Sequence, residues 1–410
     1  MNILISNVYC YQNHGDAGIV EATICGLKER FPNAKITVAS LYPSLDQGRY
    51  GDDIEVISAP ALPMSQVHSS RLDKYLSILG KTIEVMGKAL IYRIGIFPGN
   101  SASFKNADLV VSCGGGYMQS RSIKQLLADY SVHWIQLFCA KAAKIPYVIF
   151  AQTIGPFDSV SRQVSKPVFD GAARILAREP ISFKCVEELY PEVDCKYTAD
   201  VAFLLKAAPV GWEAGRHRDG NVGITVRNWH FPGKENRDQL LGNYIEAIEE
   251  FVVELSKRGD YGFYLMPQCI GPETDNDLIL SRRIAQDLEG NCKLTVVDLD
   301  CKPSELKFIY SKMDYFVGTR MHSVIFSLAE DVPCIAISYD RKTDGIMEQA
   351  GLSDYVLDIS TVTKTQLLDR FDALVSDEQI EEKIHRNVKV IKKRASINFD
   401  EVEAVLESER

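Results

Sequence analysis

The residues Gly318-Thr319-Arg320-Met321-His322-Ser323 put a guanidinium and an imidazole almost side by side, directly after the apolar run Tyr315-Phe316-Val317 and before a helical run over 324–330. A strand-to-helix turn presents helix N–H groups, so an anionic ligand finds donors there. Arginine suits a phosphate or carboxylate and histidine moves protons, which together suit chemistry on an acidic substrate. The alternative is structural: Arg320 pairs with an acidic neighbour and His322 caps the helix.

A second arginine, Arg227, follows the apolar run 223–226 and precedes Asn228-Trp229-His230, the equivalent place in its own strand–helix unit. Two arginines lining one cleft would grip a ligand that carries two anionic groups. Gln268 follows the run 264–266, and the acidic residues Glu273, Asp275 and Asp277 come next. They read as a helix N-terminus satisfying its dipole rather than as a metal site. Asp340-Arg341-Lys342-Thr343 ends a further run and adds charge at the same edge.

Three loops of the first half follow expected strands, where open α/β sheets bind ligands. In Asn13-His14-Gly15-Asp16, Asp16 is either a helix N-cap or a carboxylate that serves as base or accepts from sugar hydroxyls. In Cys113-Gly114-Gly115-Gly116-Tyr117 the glycines permit close backbone approach to a ligand, or form a tight turn and nothing else. The run is not G-x-G-x-x-G, so a nicotinamide cofactor is not indicated. Gln152-Thr153-Ile154-Gly155-Pro156 is the third loop. The pair Arg178-Glu179 ends a fourth strand and reads as a mutual ion pair.

These residues need a scaffold, and the pattern supplies one. Strands are expected over 2–8, 36–40, 109–112, 147–151 and 174–177, with helices over 17–30 and 123–143. The alternation breaks at 206–220, where Pro209, Gly211, Gly215 and Gly220 mix with charges, and a domain boundary is expected there. A second series runs through strands at 221–226, 261–266, 294–297, 315–317 and 334–338, with helices over 244–257 and 278–288. The fold class is α/β with mainly parallel, doubly wound sheets. The expected domains are 1–208, with an inserted amphipathic segment over 62–105, then 220–377, and a C-terminal helix over 378–410 that packs across both.

One stretch departs from the alternation. Over 71–97, Leu72, Leu76, Ile78, Leu79, Ile83, Val85, Met86, Leu90 and Ile91 mix with Lys74, Lys81, Lys88 and Arg93. Such a helix either rests on an anionic membrane surface or covers its own domain's core.

The net charge of −9 argues against generalised nucleic-acid binding. The first residues lack the basic n-region and cleavage site of a signal peptide, and no apolar run approaches the roughly 20 residues that span a bilayer. The ten cysteines are scattered, without a C-x-x-C pair, as expected of free thiols rather than of disulfides or a zinc site. The expectation is a cytoplasmic protein, with the basic helix offering peripheral contact at the inner face of the plasma membrane.

Taken in order, N-x-G-D near the start, G-G-G after a strand, Q-T-I-G-P, G-T-R-M-H-S and the later Ile337 to Lys342 and Gly345 to Leu352 resemble the polysaccharide pyruvyl transferase family, of the colanic-acid or exopolysaccharide type. The likeness spans residues 2 to about 352, and G-T-R-M-H-S is its most specific part. It implies a GT-B-like fold of two Rossmann-like domains facing a central cleft, the first on the acceptor side and the second binding the donor. It also implies transfer of a pyruvyl group from phosphoenolpyruvate onto a sugar as a ketal, with a glycan or lipid-linked glycan as acceptor.

On that resemblance His322 is the acid that protonates the enol methylene or guides the phosphate, and Asp16 accepts the sugar hydroxyl's proton. Arg320 and Arg227 hold the donor, with Gly318, Thr319, Ser323, Gln268 and Asp340 around it. Gly114, Gly115, Gly116 and Gln152 face the acceptor. Phosphoenolpyruvate is a co-substrate, and neither metal nor cofactor is required. Two other readings fit the scaffold: a glycosyltransferase or sugar epimerase using a nucleotide sugar, and a non-catalytic glycan- or lipid-binding protein.

Overall fold

The computed structural model of the chain describes residues 1–64, 70–271 and 276–408. Glu273 and Asp275 of the acidic run, and residues 65–69 of the expected insertion, lie outside the described residues. The chain forms two compact units. One comprises Met1–Tyr11, Ile19–Val201 and Arg394–Arg410, and the other Gln12–Gly18 and Ala202–Lys393.

The first unit is built on strands β1 (Asn2–Val8), β2 (Lys35–Ser40), β3 (Glu55–Ser58), β4 (Leu109–Ser112), β5 (Gly115–Ser120), β6 (Tyr147–Phe157), β7 (Arg174–Ala177) and β8 (Cys195–Tyr197). They pair in parallel in the order β3-β2-β1-β4-β6-β7-β8, with β5 added to β6. The central strands are buried on both faces, which is why they read as unbroken apolar runs. The strand order reverses between β1 and β4, the place where doubly wound sheets open a crevice. Asn7 sits there with φ of 60°. Its backbone N–H donates to Gln136 Oε1 (2.9 Å) and its Nδ2 to Ser112 Oγ (3.1 Å).

Two expected loops of this unit are strand instead. Gln152 to Pro156 lie inside β6, and Gly115 and Gly116 open β5, with Gly115 opposite Gln152. Left-handed Ala151 (φ 44°) and a register shift between Ile149 and Gln152 bend β6, so its distal half acquires a new neighbour. The expected helix over 123–143 is broken into Ile123–Gln125, a π-helical turn Leu126–Tyr130 and Ser131–Ala142. The basic amphipathic helix runs Arg71–Arg93 and stops short of residue 97, where Gly95 takes φ of 83°.

The second unit carries β9 (Gly220–Thr225), β10 (Tyr261–Leu265), β11 (Leu294–Val296), β12 (Tyr315–Gly318), β13 (Cys334–Ser338) and β14 (Val356–Asp358). All pair in parallel in the order β11-β10-β9-β12-β13-β14, a six-stranded Rossmann arrangement whose switch point lies between β9 and β12. The residues after those two strands are Arg227 and Gly318 to Ser323, so the topology alone brings both arginine segments to one crevice of this unit. The final helix, Ile380–Ser408, contributes to the second unit up to Lys393 and to the first from Arg394 onward.

Candidate active site

The turn after β12 is held by a network of hydroxyls. Thr225, the last residue of β9, accepts from Thr319 N (3.0 Å) and shares a hydrogen bond with Ser323 (Oγ to Oγ1 2.7 Å). Ser323 Oγ also donates to Arg320 O (2.6 Å), and Thr319 Oγ1 meets Tyr244 Oη at 2.8 Å. Thr319 and Ser323 are fully buried, so their hydroxyls fix the turn and do not reach a substrate. Gly318 has the same structural purpose: a Cβ there would lie 2.7 Å from Val324 Cγ2, so only glycine lets the following helix Met321–Ala329 start this close to its strand.

Arg320 is buried and bound to Asp277. Its Nη2 donates to Asp277 Oδ1 (2.6 Å) and its Nε to Oδ2 (3.0 Å). The expected bidentate grip on a donor is therefore replaced, on this edge of the guanidinium, by an internal ion pair. Asp277 opens the helix Asp277–Asp287 and also accepts from Cys269 N (2.9 Å) and Gln268 N (3.3 Å), so one carboxylate ties the turn after β12 to the turn after β10. Gln268 is buried too, with Oε1 accepting from Tyr310 Oη (2.6 Å). It belongs to this internal frame.

His322, in the first turn of its helix, stays half-exposed. Against it lies a segment that sequence order would assign elsewhere. Gln12–Gly18 belongs to the second unit: Ile270 N donates to Gln12 O (2.9 Å) and His14 N to Gln268 O (3.0 Å). Gly15 packs so closely on the imidazole that a Cβ would lie 2.3 Å from His322 Nδ1, and one at Gly18 would lie 2.6 Å from Phe326 Cζ. The N-cap of the helix His14–Arg30 is Asn13, not Asp16. Asn13 Oδ1 accepts from Gly15 N (3.2 Å) and its Nδ2 donates to Asp16 Oδ2 (2.7 Å). Asp16 is thus a half-exposed carboxylate oriented by Asn13, one residue from the glycine that touches His322.

Arg227 joins the frame through its backbone, whose N–H donates to Tyr244 Oη (3.3 Å). Its guanidinium carbon lies 4.8 Å from the Trp229 ring centre and 4.3 Å from that of Tyr339. Aromatic contact fixes a guanidinium by its face, while its N–H donors lie in the plane, the geometry that meets a phosphate or carboxylate. Asp340, next to Tyr339, is the N-cap residue of the helix Arg341–Gln349, half-exposed and 3.7 Å from Lys342 Nζ. Among the described residues no group of three or more His, Cys, Asp or Glu could hold a metal ion.

In the first unit, Gly114 permits close backbone contact: a Cβ there would lie 2.7 Å from Ala151 O. Gln152 is fully buried, and its amide has no hydrogen-bond partner among the described residues. Arg178 does not pair with Glu179. Its Nη1 donates to Asp200 Oδ2 (2.6 Å) and its Nε to Thr153 Oγ1 (2.8 Å), while Glu179 accepts from Ser182 Oγ (2.6 Å).

A cavity of about 680 Å³ in this unit went unforeseen, and Tyr9, Tyr42, Lys74, Lys124 and His133 are among its walls. His133 stacks on Tyr117 (4.1 Å) and its Nδ1 lies 3.2 Å from Asn7 Oδ1. Burial pushes its pKa down to about 3, so it is held neutral. Four residues past Tyr42, Asp46 accepts from Tyr11 N (2.8 Å) and Ser40 Oγ (2.7 Å), and burial pushes it up to about 6. These groups come from two strand ends and several separate helices, so no linear motif announces them.

Comparison with known proteins decides the family. The polysaccharide pyruvyl transferase family model matches residues 13–341. The chain belongs to the polysaccharide pyruvyl transferase family. It is 22% identical to the amylovoran biosynthesis protein AmsJ of Erwinia amylovora, over 95% of each chain. Among solved structures it is similar to the spinosyn rhamnosyltransferase SpnG (TM-score 0.58, 11% identity, 98% of this chain and 100% of that one). It is also similar to the UDP-GlcNAc 2-epimerase of Neisseria meningitidis (TM-score 0.56, 10% identity, 98% and 100%). At such identities the likeness is one of fold, and the fold is GT-B. The pyruvyl transferase match begins at Asn13, the cap of the turn that carries Asp16, and ends at Arg341, just past the tyrosine that stacks on Arg227.

Proposed function

We propose that the chain moves a pyruvyl group from phosphoenolpyruvate onto two hydroxyls of a sugar, as a ketal, with release of phosphate. The observation that carries this reading is the seating of the Asp16 turn on His322 through Gly15, inside the region matched by the family. The similarity to an amylovoran biosynthesis protein suggests a bacterial exopolysaccharide, or its lipid-linked precursor, as the product class.

The chemistry distributes over the residues as follows. His322 donates a proton to the enol methylene, which leaves C2 of the donor cationic. A sugar hydroxyl attacks C2, forming one C–O bond and passing its proton to Asp16. The C2–O bond to phosphate then breaks, the second hydroxyl adds at C2, and its proton leaves with the phosphate. One donor and one diol give one cyclic ketal and one inorganic phosphate.

Arg227 neutralises the donor's phosphate or carboxylate. Arg320, through Asp277, positions the turn that carries His322. The second unit binds the donor and the first unit binds the acceptor, whose sugar rings suit the tyrosine-walled cavity. No cofactor beyond the co-substrate enters, and a donor of central metabolism implies a cytoplasmic enzyme.

The test is incubation with phosphoenolpyruvate and glycan acceptors from the producing bacterium, following phosphate release and an added pyruvyl mass. His322→Gln should abolish both. Release of nucleotide from a nucleotide sugar, with no phosphate from phosphoenolpyruvate, would instead establish a glycosyltransferase or epimerase.

A further inference from the structure

The helix Arg71–Arg93 is docked with its apolar stripe outward. Ile78, Val85 and Tyr92, seven residues apart, are its buried side. Leu72, Leu76, Leu79, Ile83, Met86 and Leu90 recur at helical spacing on the opposite side and are 56–68% exposed. Ile94 and Ile96 extend the stripe beyond the helix, at 65% and 53% exposure. Lys81 and Lys88 bend to the packed side, where both contact Glu84 and Lys88 also donates to Pro60 O. An amphipathic helix in a globular domain normally buries its apolar stripe, so this arrangement is inverted and marks an interaction surface.

Charge decides the occupant. Residues 71–124 hold eight Lys and Arg against three Asp and Glu, in a chain whose net charge is −9. Exposed Arg71 and Arg93 stand at the two ends of the helix, and exposed Arg121 and Lys124 flank Ile123, another exposed apolar side chain. Among the described residues no helix is long and apolar enough to cross a membrane. A long apolar stripe bordered by cations is what an interfacial helix needs to lie in the headgroup region of an anionic bilayer.

We propose that the helix Arg71–Arg93 docks the first unit flat on an anionic lipid bilayer, with the stripe from Leu72 to Leu90 in the acyl boundary and the exposed Arg71, Arg93, Arg121 and Lys124 on lipid phosphates. The docking rests on the stripe and the charge alone, independently of the pyruvyl transfer reading. Lys74 and Ile78 of the same helix also wall the cavity, which lies on the packed side of the helix, behind the stripe.

Flotation of the full chain with vesicles tests the docking. Phosphatidylglycerol–phosphatidylethanolamine vesicles should carry the protein upward, more salt should weaken the effect, and pure phosphatidylcholine vesicles should retain much less. The double variant Leu79→Glu/Ile83→Glu should bind anionic vesicles about tenfold or more weakly, with an unchanged circular dichroism spectrum. Val390→Glu, at an exposed position of the terminal helix, should bind like the parent. Absence of flotation by the parent protein would overturn the proposal, as would equal flotation of the double variant. A parent dimer that the double variant splits, without vesicle binding, would reassign the stripe to a second copy of the chain.

Discussion

His322 and Gly15 are in such close contact that no side chain fits between them: a Cβ on Gly15 would stand 2.3 Å from His322 Nδ1. This glycine lets the Asn13–Asp16 turn sit on the imidazole, so the segment that carries the carboxylate lies against the histidine. Gly15→Ala should therefore act on geometry before it acts on stability. Overpacking of this kind costs about 1–3 kcal/mol, while misplacement of a catalytic group by about an ångström costs on the order of 100-fold in rate. A kcat that falls far more than the melting point predicts is the expected result. Parallel losses in both would assign the contact to packing alone.

The Arg320–Asp277 pair predicts the reverse balance. Both side chains are buried, so Asp277→Asn leaves a guanidinium without its counter-charge and should cost about 3–5 kcal/mol in urea unfolding. Arg320→Lys should also destabilise, because an ammonium cannot span both carboxylate oxygens. If either change left stability intact and only raised the KM for the donor, Arg320 would be the donor's anchor after all.

Arg227 should behave as a binding residue. Its aromatic contacts are worth about 0.5–1 kcal/mol at such a site, so Arg227→Ala changes stability little. The KM for phosphoenolpyruvate should rise by about 10- to 100-fold, the loss of a charge-assisted hydrogen bond or two. Steady-state kinetics over a donor concentration series would show it, and an unchanged KM would remove Arg227 from the donor site.

His133 gives the first unit an acid sensitivity of definite sign. Its folded pKa, about 3, lies below the ordinary 6.5. The neutral ring therefore stabilises fully above pH 6.5, and that contribution is lost as pH falls towards 3, by up to about 1.4 kcal/mol per pH unit. Urea midpoints between pH 6.5 and 4 should fall less steeply in His133→Asn than in the parent protein. Identical slopes would mean that His133 takes up its proton without unfolding cost.

What the sequence made legible was local. β1, β4, β7 and β13 end where the apolar runs end, because a strand buried on both faces has no polar position to blur its limits. The importance of the Gly318–Ser323 turn was legible as well, but the partition of labour within it was not. Thr319, Ser323 and Arg320 are consumed by Thr225, Tyr244 and Asp277, partners from 43 to 98 residues away that no spacing rule reveals. Gln152 to Pro156 look like a loop, since glycine and proline usually punctuate, yet a bend at Ala151 continues the strand. The outward stripe of Arg71–Arg93 shows the same limit: periodicity discloses an apolar face but not what covers it.

The assignment of residues 394–408 to the first unit has a consequence for how the chain matures. Asn398 Nδ2 donates to Ala199 O (3.0 Å) and its Oδ1 accepts from Thr198 Oγ1 (2.9 Å), while Phe399 packs on Phe150 (5.3 Å). The first unit is thus completed by a helical segment that follows the whole second unit in the chain. A nascent chain of some 200 residues holds its own sheet but lacks its closing helix, and it lends the turn 12–18 to a body not yet made. Neither half is a self-sufficient fragment, so expression of residues 1–208 alone should yield an aggregating polypeptide rather than an isolated acceptor module.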